Sequence, residues 1–231
     1  MKFKRLFIGA LAIILFSGLT SCMNSSDPET VVQAEVFITV KPGSEGNTLY
    51  ALSIQAIVHF AKESLVSVVV TKPDGDELIL KPEANQWYCL YDSPFSGTKP
   101  LEGTYFIVFN LTNTTFPAQQ YTLSGNVIFP PDVTSCTVSG FSSVNLEWTG
   151  IDNATFYEVF MYDSNDKQIF VSSTPTSRIG GTATSYIINP SAGTWSGSIN
   201  DGRYVEVVAY YLQSGFMQAR SLSGRIDVPW E

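Results

Sequence analysis

Residues 144–148 read Val-Asn-Leu-Glu-Trp, and residues 157–161 read Tyr-Glu-Val-Phe-Met. Val144, Leu146 and Trp148 alternate with polar positions in the first run, and Tyr157, Val159 and Met161 share one face of the second. Successive side chains of a strand point to opposite faces, so each run predicts a strand with one buried side. Val205, Val207 and Ala209 repeat the pattern late in the chain. Earlier, Leu52, Ile54, Ala56, Val58 and Phe60 do the same, as do Val66, Val68 and Val70, and Tyr105, Ile107 and Phe109. Turn formers such as Lys72-Pro73-Asp74-Gly75-Asp76 separate these runs. A helical period is absent after the first twenty-two residues. The pattern predicts an all-β fold of the sandwich type.

Phe129-Pro130-Pro131-Asp132 interrupts the series. Two consecutive prolines donate no ladder hydrogen bonds and stiffen a connector. We therefore expect two tandem β-sandwich domains, at 31–129 and 130–231. The second, with its opening Pro131, the strand ending Leu146-Glu147-Trp148, the Tyr157-Glu158-Val159 strand and the late Val205-x-Val207-x-Ala209 strand, resembles a fibronectin type III domain. That family sets a tyrosine in register with the late strand's buried face. Arg203 stands at that position here, and Tyr204 is one residue out of register, so the tyrosine corner is in doubt. The first domain resembles a generic immunoglobulin-like sandwich.

The N-terminus carries an address. Met1-Lys2-Phe3-Lys4-Arg5 is basic, Leu6 to Phe16 is apolar, and Leu19-Thr20-Ser21-Cys22 closes the segment. This has the layout of a secretory signal over residues 1–21, and its ending resembles the bacterial lipobox. The resemblance implies lipidation of Cys22 and a membrane partner through that anchor. It also implies the bacterial cell envelope, and the outer membrane in particular, because Met23 rather than an aspartate follows the cysteine. Residues 22–30 are polar and read as a flexible tether.

The whole chain carries a net charge of −8, and losing Lys2, Lys4 and Arg5 with the leader takes the body to −11. Such a body is repelled by nucleic acid phosphates, which argues against nucleic acid as a partner. Chemistry is also poorly provided for. His59 is the one histidine, and it sits on the polar face of a predicted strand, so neither a histidine metal site nor a triad base is expected. Asp74, Asp76 and Glu77 belong to a Pro-Asp-Gly turn, and Asp163-Ser164-Asn165-Asp166-Lys167 reads as a hairpin turn rather than a Ca²⁺ loop. There is no phosphate-cradling glycine loop and no Gly-x-Ser-x-Gly elbow. The expectation is a non-enzyme with no cofactor and no metal. Cys89 and Cys136 fall in different predicted domains, so a bridge between them is not expected.

Aromatic side chains are the remaining candidates: Trp87, Tyr88 and Tyr91 in one run, Trp195 in a Gly-Ser-rich stretch, and Tyr210 and Phe216 flanking the last hairpin. Aromatic rings in a sandwich fill the core first, and one left at the surface offers a stacking plate for a sugar. The expected role is non-catalytic binding or adhesion at the cell envelope, towards a glycan or a partner protein. The alternative is a structural spacer or a pilus-type subunit assembling by β-strand exchange.

Overall fold

The computed structural model describes residues 29–82, 87–140, 142–174 and 176–230. The leader, Cys22 and most of the tether lie outside these residues. Within them no helix is long and apolar enough to cross a membrane. The N-terminal half contains β1 (Val31–Pro42), β2 (Thr48–His59), β3 (Leu65–Thr71), β4 (Glu77–Leu80), β5 (Tyr88–Asp92), β6 (Gly103–Leu111) and β7 (Gln119–Leu123). The C-terminal half begins with β8 (Val133–Ser139), β9 (Ser143–Trp148), β10 (Phe156–Tyr162), β11 (Gln168–Val171) and β12 (Ile179–Gly180). It ends with β13 (Ser185–Ile188), β14 (Thr194–Trp195), β15 (Tyr204–Gln213), β16 (Phe216–Leu222) and β17 (Ile226–Asp227). The fold is all-β and of sandwich type, as the alternation predicts.

Three sheets result. A four-stranded sheet has the order β4-β3-β6-β7, and a three-stranded sheet the order β13-β9-β8. The third has ten strands, with the path β14-β11-β10-β15-β16-β1-β2-β5, β12 beside β10 and β17 beside β15. Val36, Ile38, Ile54, Val68, Tyr105, Ile107 and Phe109 form one core, in which the four-stranded sheet packs on β1 and β2. Val144, Leu146, Trp148, Tyr157, Val159, Met161, Val205 and Val207 form a second core, in which the three-stranded sheet packs on β10 and β15. Burying each such side chain contributes about 1.5–3 kcal/mol. Between the cores the chain switches allegiance over one peptide bond: Val127 packs on the first and Ile128 is buried in the second.

Two alternating runs depart from their pattern. Val66 does not join Val68 and Val70, because the β3–β6 register shifts between Leu65 and Ser67. That bulge turns Val66 outward, where it is exposed. Phe60 is likewise exposed, since the chain leaves β2 at His59 and Phe60 takes a φ of 54°. A tyrosine corner exists, but in the N-terminal half. Tyr105, fully buried near the start of β6, donates from Oη to the Leu101 carbonyl at 2.7 Å. Burial pushes its hydroxyl up to about 12. In the C-terminal half Arg203 uses Nη1 to donate to the carbonyls of Asn200 (3.1 Å) and Gly202 (2.9 Å), and Trp230 Nε1 also donates to Gly202 O (2.6 Å). Arginine and tryptophan thus hold the bend that a tyrosine holds elsewhere.

The two halves share a sheet. β1 pairs antiparallel with β2 and parallel with β16, with Ile38 opposite Ala219 and Val40 opposite Ser221. Each of these strands would otherwise expose an unpaired edge. Polar side chains reinforce the ladder. Arg220 Nε donates to Thr39 Oγ1 (2.8 Å), Thr39 and Ser53 share a hydrogen bond, and Ser53 Oγ donates to Asp92, which also accepts from Arg220 Nη2 (3.2 Å). Gln218 Oε1 accepts from both the amide and the hydroxyl of Ser124 at 3.0 Å, tying β16 to the end of β7. Cys89 is buried in the first core and Cys136 half-buried against the second, and no disulfide joins them.

Candidate functional site

The junction between the halves contains a cleft of about 320 Å³. Its walls come from three distant segments: Glu35 and Val36 of β1, Gln120 to Thr122 and Ser124 at β7, and Gln213, Ser214 and Phe216 to Gln218 at the β15–β16 turn. The turn is short because Ser214 (φ 53°) and Gly215 (φ 86°) both occupy the left-handed region. Positive φ at both central residues is the two-residue hairpin geometry that matches strand twist. Gln213 pairs with Phe216 across it, so Phe216 is carried on a fixed backbone and not on a floppy loop. Its ring remains exposed and meets Tyr121 edge-on, with centroids 6.4 Å apart.

Tyr121 is braced from behind. Its Oη accepts from the Ala34 amide (3.2 Å) and donates to Gln119 Oε1 (2.9 Å). Burial raises the pKa of its hydroxyl, and the Glu35 charge raises it further. Glu35 is the carboxylic acid of the cleft wall. Desolvation pushes its carboxyl above the usual carboxylate range, and the positive charge of Arg178 offsets part of that. Arg178 itself lies over the Phe156 ring at 4.2 Å. The buried Oε2 of Glu35 has no hydrogen-bond partner among the described residues. A desolvated acceptor with nothing to accept from is costly, of the order of 1–3 kcal/mol.

The other sequence-selected aromatics lie elsewhere. Trp195 packs on Phe170 with centroids 4.5 Å apart, and its Nε1 donates to Asn189 O at 3.2 Å, so it closes one end of the second core. Tyr210 stacks on Phe156 at 4.5 Å and donates from Oη to Glu158 at 2.7 Å. Burial holds its hydroxyl well above the ordinary value, with the Glu158 charge adding to the effect. Tyr91 packs against the first core, and Tyr88 sits half-buried on β5. Trp87 is exposed just before β5, its carbonyl accepting from the Val58 amide at 2.8 Å. Among the six aromatic candidates, Phe216 alone lines the junction cleft.

Glu35, Gln120, Gln213 and Tyr121 escaped the sequence reading. Alternation along β1 marks Glu35 as facing away from the Ala34 and Val36 side, but nothing local places it beside a hairpin about 180 residues later. The acidic loops behave as turns. Asp163 Oδ1 accepts from the amides of Asn165 (2.8 Å) and Lys167 (2.9 Å), and Lys72 Nζ reaches Asp76 at 3.0 Å. Among the described residues no three of histidine, cysteine, aspartate and glutamate converge as a metal site would require. His59 lies half-buried at the end of β2, near the Phe60 ring. A search against protein-family models finds no match for the chain, and no curated protein matches it.

Proposed function

We propose that this chain is a lipid-anchored protein of the bacterial cell envelope whose work is non-catalytic glycan binding, done at the junction cleft. The carrying observation is Phe216: a ring left exposed on a two-residue hairpin, in a cleft that Gln120 and Gln213 also line. An aromatic plate takes the C–H face of a sugar ring, while amides and hydroxyls pair with its hydroxyls. The volume of about 320 Å³ suits one or two sugar rings. The leader and Cys22 support the envelope address. The test is a glycan array probed with the wild type and with Phe216→Ala. Specific binding that the variant loses supports the reading, and a blank array sinks it.

A second reading, a stiff spacer, draws support from the sheet that runs unbroken from one half into the other. Strand exchange would have to use an end strand such as β5 or β7, since β1 already pairs on both sides.

A further inference from the structure

We infer that the ligand of the junction cleft carries a protonated amine, which Glu35 takes as a charge-assisted hydrogen bond, so that the preferred glycan class is the amino sugars with a free 2-amino group. The inference rests on the glycan reading above and narrows it. Three observations on one wall carry it. Glu35 lines the cleft, its Oε2 is buried without a hydrogen-bond partner among the described residues, and no ion pair between Glu35 and a lysine or arginine occurs among them. Removing a carboxylate from water is repaid only by a donor, and a charged donor repays it about twice as well as a neutral one. Arg178 tempers the charge without forming an ion pair, and because Oε2 is itself enclosed, the amine meets the carboxylate from the side on which Glu35 lines the cleft.

The surroundings select a cation over a neutral hydroxyl. Tyr121 and Phe216 present ring faces and edges to the same space. An ammonium near such rings gains electrostatic attraction that a hydroxyl does not. In the remaining lining, Gln120, Thr122, Gln213 and Ser214 supply amides and hydroxyls that pair with sugar hydroxyls, and Val36 and Met217 supply apolar surface for the C–H face of a sugar ring. A 2-amino sugar offers both parts at once: an ammonium for Glu35 and a ring for Phe216. N-acetylation removes the charge, leaves a single neutral amide N–H as donor, and adds the bulk of an acetyl group beside the carboxylate.

The experiment is isothermal titration of the full-length chain with glucosamine oligomers and with N-acetylglucosamine oligomers of equal length. The expected result is at least a tenfold preference for the free-amine series. Glu35→Gln should abolish that preference, and Phe216→Ala should weaken both series. Circular dichroism checks that the variants are folded. Equal affinity for the two series, or a preference that survives Glu35→Gln, overturns amine recognition while glycan binding stands. Failure of both series to bind also overturns it, and the glycan array then decides separately whether the broader reading falls too.

Discussion

Arg220 on β16 and Asp92 on β5 meet at 3.2 Å across two intervening strands, β1 and β2. Thr39 and Ser53 on those strands complete the hydrogen-bonded set. The planar fork of arginine serves two acceptors at once, which a lysine ammonium on a single stem does less well. Arg220→Lys is therefore expected to cost about 1–2 kcal/mol. Calorimetry of the wild type should show one transition, and the variant should show the two halves melting apart.

Tyr105→Phe removes the one donor that the tyrosine corner supplies to Leu101 O. The shape of the core is unchanged, so the loss is a hydrogen bond with a carbonyl left behind, about 1–2 kcal/mol. Urea denaturation should move its midpoint without changing the slope.

Trp195→Ala and Phe216→Ala should separate stability from binding. Trp195 closes the second core against Phe170, so its truncation should cost about 2–3 kcal/mol. Phe216 is 56% exposed, and its loss should stay within about 0.5 kcal/mol. A thermal melt beside a glycan array reads both quantities. A Trp195 variant that melts like the wild type would contradict its assignment to the core.

Glu35→Gln should stabilise the fold at neutral pH. The folded carboxyl is raised above its unfolded value by burial, with Arg178 opposing and Tyr121 adjacent. The folded state then binds the proton more tightly. Stability contributed by this group falls as pH rises from the unfolded pKa through the folded one, and above that the charged, desolvated form is a constant cost. The melting temperature of Glu35→Gln should exceed that of the wild type at pH 7. The gap should close below the ordinary carboxylate pKa, where both side chains are neutral.

Cys22→Ser tests the anchor. Cells labelled with a radioactive fatty acid should mark the wild type and not the variant, and the variant should leave the membrane fraction.

The core was legible because alternation is local. Tyr105, Ile107 and Phe109, and Tyr157, Val159 and Met161, are all fully buried on the expected face. What failed was decided elsewhere. A one-residue register shift against β6 turned Val66 outward, and a left-handed residue ended β2 before Phe60. The β1–β16 pairing joins segments with no shared period, so no window of sequence reports it. The cleft draws its walls from β1, β7 and a hairpin far along the chain, and for that reason only Phe216 was found in advance. The tyrosine corner was sought in the C-terminal half, although the spacing of Leu101 and Tyr105 held it in the other.

The twofold pairing of β1 has a mechanical meaning. That strand begins at Val31, carries Glu35, and is flanked along its length by β2 on one side and in part by β16 on the other. If the proposed anchor at Cys22 and a ligand at the cleft are pulled apart, the load enters β1 end-on. The ladders on both sides are then loaded in shear, many hydrogen bonds at a time, instead of being peeled one by one. Resistance to forced extension is a matter of unfolding rate and not of equilibrium stability. A protein built this way can be only modestly stable in a test tube and still hold fast under flow.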